Sequence, residues 1–142
     1  MYEHMETVML GGKEYPIKCD IDVLIKIQEQ FDGLNAFEML IGGFKTVKRA
    51  DGSTVLDDKG IPLLERAEPS VRAIRTVLPY MLQEAAVTLK DITPVDLSET
   101  DEAIKNMHFD MMKVARAMYH EFNKCFERKN VSSAGSQEEK QE

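Results

Sequence analysis

The sequence predicts an α+β domain that is predominantly helical: an N-terminal β-hairpin, about four helices, and a hairpin or loop excursion at 45–68. Three observations predict it. Apolar residues alternate on both sides of Gly11-Gly12 and nowhere else for long. Most later apolar residues recur at three- and four-residue steps, the spacing of one helix face. Turn residues cluster between Lys45 and Glu68 and break that periodicity.

In order, Val8 and Leu10 alternate up to Gly11-Gly12, where positive φ is cheap, and Tyr15 and Ile17 alternate beyond it, which predicts a hairpin. Asp20 or Asp22 can cap a helix whose Val23, Leu24, Ile27 and Phe31 share a face, with Asp32-Gly33 as the stop. Asn35 with Glu38 three residues later is spaced as a capping box, ahead of Ala36, Phe37, Leu40, Ile41 and Phe44. The excursion contains two turn signals, Asp51-Gly52 and Asp57-Asp58-Lys59-Gly60, between short β-prone pieces, so it reads as a small hairpin or an exposed mobile loop.

Pro69 suits a first helical turn, and Val71, Ile74, Val77, Leu78, Met81, Leu82, Ala85 and Leu89 continue a long core helix. Pro79 inside it removes a backbone donor, which predicts a kink or a break into two helices. Ser98 with Asp101 opens what the spacing predicts as the longest helix, to about Arg128. Ile104, Met107, Met111, Val114, Ala115, Met118, Phe122 and Phe126 form its apolar stripe, with Met112 beside it. Such a stripe is ordinary core in most helices, yet methionine repacks easily and a methionine-rich stripe also suits a protein-binding groove. Residues 1–130 therefore read as one domain, and 131–142 as a polar, disordered tail.

At 142 residues the chain can bury roughly two thirds of its unfolded surface without staples. Cys19 and Cys125 lack metal-type spacing, and Met1 to Thr7 is polar rather than leader-like, so a reducing cytoplasm is expected. Lys26, Gln28 and Glu84 interrupt the longest apolar stretches, short of the roughly 18 residues of a membrane span. With 25 acidic and 18 basic residues the net charge is −7, which disfavours nucleic acid and favours a protein partner.

The residues do not suggest catalysis. Gly12-Lys13 is followed by Glu14 and fails as a phosphate loop. His108 and His120 would lie about 120° apart around one helix, and His120-Glu121 with Cys125 is the nearest approach to a ligand set, read as surface histidine and buried thiol. Asp57-Asp58, Glu99 with Asp101-Glu102, and Glu138-Glu139 lack the alternating oxygens of a calcium loop. Neither cysteine has a histidine at a recognisable catalytic spacing, and no nucleophile elbow exists. No enzyme, cofactor or metal site is expected.

The order of signals in GGKEYPIKCDIDVLIKIQEQFDG, a small-residue turn, a Lys-Glu-Tyr-Pro strand and an Asp-led helix ending in Phe and Asp-Gly, resembles the start of the tail assembly chaperones of long-tailed bacteriophages and prophages of Gram-positive hosts. The match covers about the first third of the chain. It implies a non-enzymatic adaptor in the host bacterial cytoplasm, which binds the tape measure protein and recruits tail tube subunits during virion assembly; self-association is left open, and neither nucleic acid nor membrane is a partner. Candidate contacts are Phe37, Leu40, Phe44, Met107, Met111, Met112, Met118 and Phe122. The runner-up is a small phage structural or regulatory adaptor such as a head–tail connector component. The resemblance also implies a longer form made by ribosomal slippage. Arg128-Lys129-Asn130 can be encoded AGA AAA AAC, whose run lets both tRNAs re-pair one base back, and other codons there would remove that site.

Overall fold

The computed structural model describes residues 4–141, with side chains as far as Glu127. β1 (Glu6–Leu10) and β2 (Lys13–Ile17) form an antiparallel ribbon in which Val8 faces Tyr15 and Leu10 faces Lys13. Gly11 and Gly12 both carry positive φ, 58° and 83°, the geometry of a type I′ turn that matches strand twist. Helices α1 (Ile21–Gln30) and α2 (Leu34–Gly42) follow, then a short pair, β3 (Phe44–Thr46) and β4 (Leu64–Arg66). Helices α3 (Val71–Leu89), α4 (Thr100–Lys105) and α5 (Met111–Gln141) follow, giving five helices among the described residues. The expected polar tail at 131–142 and the Arg128-Lys129-Asn130 triplet fall outside the described side chains.

The core lies between the ribbon and the helices. β2 packs on α3, β1 on α5, α1 on α3, and α2 on α5. α3 is the central element, with Ala73, Ile74, Val77, Leu78, Met81, Leu82 and Ala85 all buried, and it runs unbroken through Pro79. Its start is two residues later than Pro69 as a first helical residue implies, because Ser70 is the cap and its hydroxyl accepts from Ala73 N at 3.0 Å. Arg72 from α3 closes the end of α1, donating to Gln30 O at 2.8 Å while its guanidinium sits 4.6 Å from the Phe31 ring centroid.

The capping box at Asn35 and Glu38 does not form. α2 begins at Leu34 after Gly33, whose φ of 98° delivers the chain from the end of α1 in a conformation only glycine adopts cheaply. The excursion is a hairpin rather than a loose loop. β3 pairs with β4, Lys48 bridges Thr54, and Leu56 bridges Pro62. Val47, Val55 and Leu63 exchange backbone hydrogen bonds of 2.9–3.0 Å in a closed ring, so three extended pieces share one small arm. Leu56, Ile61, Leu63 and Leu64 are exposed on it.

The predicted helix from Ser98 to Arg128 is two helices. Met107 adopts a left-handed φ of 58°, His108 N reaches back to Ala103 O at 2.8 Å, and Met107 N to Ile104 O at 3.2 Å. Those two bonds are a Schellman motif with methionine where glycine is usual. Asp110 then restarts the chain, its carboxylate accepting from Lys113 N at 3.1 Å. The turn so made holds the tip of the ribbon, since Gly11 N donates to His108 O at 2.8 Å. Met107→Gly is expected to relieve the left-handed strain and raise stability by up to about 1 kcal/mol in urea unfolding, with the higher unfolded-state entropy of glycine offsetting part of the gain. A loss of more than that amount would show that the Met107 side chain is itself needed.

Candidate functional site

The junction between β2 and α1 is held from two sides. Lys18 N donates to Met81 O of α3 at 3.1 Å, and Cys19 N donates to Glu121 Oε1 of α5 at 3.3 Å. Asp20 then caps α1, accepting from Asp22 N at 3.1 Å and Val23 N at 3.3 Å. Beside this junction an open hollow of about 550 Å³ lies between α1 and α5, lined by Lys18, Cys19, Asp20, Ile21, Leu24, Cys125 and Phe126. Its walls are mostly apolar and its rim is charged.

Sequence reasoning missed this hollow, although a signal exists. α1 carries isoleucine at 21 and 25 in addition to the face of Val23 and Ile27, more apolar residues than one buried stripe needs. Ile21 is 69% exposed and Ile25 45%. Such a surface can receive apolar side chains of a partner.

Asp20, Asp22 and Glu84 bring carboxylate oxygens within 4.8 Å of one another, and no other group of three ligand-type side chains approaches so closely among the described residues. Carboxylates this close favour the protonated form of one of them. The hydrogen bond to Asp20, followed by partial burial and the charges of Asp20 and Asp22, pushes Glu84 up to about 7, against Lys18, which lowers it. Protonated Glu84 thus donates to the residue that caps α1. Because the folded pKa lies above the unfolded value, this stabilisation is fully present below about pH 4.5 and is lost as pH rises through about 7. Glu84→Gln donates at every pH. Its stability advantage over the native protein is expected to grow between about pH 5 and about pH 8, by under about 1 kcal/mol because solvent screens the pair. A pH-independent difference in urea midpoints would remove the shared proton.

α5 carries the charged counterpart. Glu121 is completely buried, and its Oε2 accepts from Glu6 N at 3.0 Å and lies 3.3 Å from Lys124 Nζ. Lys124 also pairs with Glu6 Oε2 at 3.2 Å, and His120 stands 4.0 Å from Glu6 Oε1. His120, Glu121 and Cys125 therefore engage different partners: Glu6, the two backbone N–H groups, and the Cys19 carbonyl.

The eight candidate contacts separate into two sets. Phe37, Met118 and Phe122 are core residues in this conformation, and Met111 is half-buried against the core. Leu40, Phe44, Met107 and Met112 are exposed. The continuous methionine stripe is thus not one groove: the turn at Met107 interrupts it, and its middle faces inward. Among the described residues of α5, Met112 and Phe126 are exposed and the half-buried Tyr119 lies seven residues from each, so the three are near one face. Tyr119 meets the root of the arm, since a Cβ built on Gly42 would lie 2.7 Å from the Tyr119 ring and 3.2 Å from Phe44.

No helix among the described residues is long and apolar enough to cross a membrane. Comparison with protein-family models, curated proteins and solved structures gives no match for this chain.

Proposed function

We propose that this chain is a non-enzymatic phage tail assembly chaperone that binds the tape measure protein and brings tail tube subunits to it in the host cytoplasm. The observation that carries the proposal is the segment Gly11 to Gly33, a tight glycine turn, a Lys-Glu-Tyr-Pro strand and an Asp20-capped helix, whose order of signals resembles that family. The surface supports it. Ile21 and Ile25 on α1, Leu56, Ile61, Leu63 and Leu64 on the arm, and Met112 and Phe126 on α5 leave apolar side chains uncovered on an acidic chain. An adaptor that shields the apolar stripe of an aggregation-prone helical partner needs such surfaces, and its net charge keeps the complex dissolved.

The test is coexpression with the tape measure protein of the same genome, with and without the tube subunit. The expected result is a soluble tape measure protein that copurifies with this chain. A tape measure protein that stays insoluble and fails to copurify, or a gene placed among head-completion genes rather than between the tube and tape measure genes, would overturn the proposal.

A further inference from the structure

Cys19 and Cys125 are 106 residues apart in sequence and meet at the floor of the hollow between α1 and α5, where both contribute to the lining. The Cys125 thiol donates to the Cys19 carbonyl at 2.9 Å. No disulfide joins them. Their settings differ in a useful way: Cys125 is half-buried and opens to the hollow, whereas Cys19 is fully buried behind it. The hydrogen bond to Cys125, then burial, then the neighbouring charges of Cys125, Glu121 and Asp20 hold the Cys19 thiol well above the usual range. Cys125 is therefore the thiol that a small molecule in the hollow reaches first and Cys19 the one behind it, an arrangement with one attacking and one resolving thiol.

We propose that Cys19 and Cys125 form an oxidisable pair, which closes to an intramolecular disulfide by exchange with a low-molecular-weight disulfide and so locks α5 onto the β2–α1 junction. The Cys125 thiolate attacks one sulfur of the small disulfide, forming a mixed disulfide and expelling one small thiolate. Cys19 then gives up its proton and attacks the Cys125 sulfur, forming the internal bond and expelling the second small thiolate. The two electrons lost by the cysteines reduce the small disulfide, and the two protons released convert its halves to thiols. The 2.9 Å contact brings the Cys125 sulfur to the backbone of Cys19 itself, and the long loop that closure makes restricts the unfolded chain strongly.

The probe is glutathione disulfide, equilibrated with the native full-length protein over a range of ratios to glutathione, followed by acid quenching, alkylation and mass mapping. The expected product has lost two hydrogens, links the Cys19 and Cys125 peptides, remains monomeric and unfolds at higher urea than the reduced form. Cys19→Ser is expected to stop at a glutathione adduct on Cys125, and Cys125→Ser to react at least tenfold more slowly. Circular dichroism establishes that both variants are folded, and the native protein's own mass map decides the matter if either is not. A stable glutathione adduct on the native protein, disulfide-linked dimers, or two unmodified thiols at full oxidation would each overturn the proposal.

Discussion

Glu121→Ala is expected to cost about 3–5 kcal/mol, a large part of the stability of a domain this size. The carboxylate is buried in the middle of α5, accepting from Glu6 N at 3.0 Å and Cys19 N at 3.3 Å, the backbone on either side of the ribbon. Alanine leaves those donors without the carboxylate that satisfies them and leaves Lys124 with its pairing to Glu6. Each orphaned donor carries a desolvation cost of about 1–3 kcal/mol. Glu121→Gln retains one acceptor oxygen and is expected to lose about half as much. Urea unfolding followed by circular dichroism measures both. An alanine variant within about 1 kcal/mol of the native protein would show that the ribbon is held by packing alone and that the Lys124–Glu6 pair suffices.

That role was not legible in the sequence, and the reason is physical. Glu121 stands next to His120 and three residues before Lys124, so it reads as part of a solvated face, and its acceptor role appears only when Glu6 and Cys19 arrive from more than 100 residues away. Three local signals carry over to the structure, each depending on a few neighbouring residues: the Gly11-Gly12 turn, the cap of α1, which Asp20 rather than Asp22 supplies, and the buried face of α3 apart from Val71, which is exposed; the equally local Asn35–Glu38 capping box does not. The break at Met107 was hidden because it uses neither glycine nor proline, and because Ile104, Met107, Met111 and Val114 keep helical spacing across it. Asp110 was the available hint, a strong capping residue inside a supposed helix. The same lesson applies to the excursion. Its turns were visible, whereas the closed ring of bonds joining Val47, Val55 and Leu63 depends on the way three pieces meet.

The hollow illustrates a different limit. Periodicity identifies the face that is buried but says little about an additional apolar face until the neighbours are placed. Ile21 and Ile25 become informative once α5 is known to leave Phe126 beside α1 without covering them. Cys19 and Cys125, unremarkable by spacing, become a pair only because Glu121, four residues before Cys125, also holds the Cys19 backbone. Site, anchor and thiol pair are thus consequences of one docking event, α5 against the end of β2.

Phe122→Ala is expected to cost about 3–5 kcal/mol, whereas Met112→Glu should change stability by no more than about 0.5 kcal/mol. Both positions are large apolar residues on one helix and look interchangeable by composition. Phe122 is buried with its ring edge-on to Phe37 at 5.2 Å and to Phe126 at 5.3 Å, and Phe37 in turn lies 5.4 Å from Phe31. Removing it opens a cavity in the middle of an aromatic row and forfeits two edge contacts, each worth about 0.5–1.5 kcal/mol beyond area burial. Met112 is 52% exposed at the start of α5, so a carboxylate there stays hydrated. Under the proposed function the two variants separate stability from binding: Met112→Glu should stay folded yet capture less tape measure protein, because a carboxylate in an apolar contact must be desolvated. Full capture by folded Met112→Glu would move the contact surface to the arm or the α1 hollow. A Phe122→Ala variant as stable as the native protein would mean that the aromatic row repacks around the loss and does not fix how α5 sits.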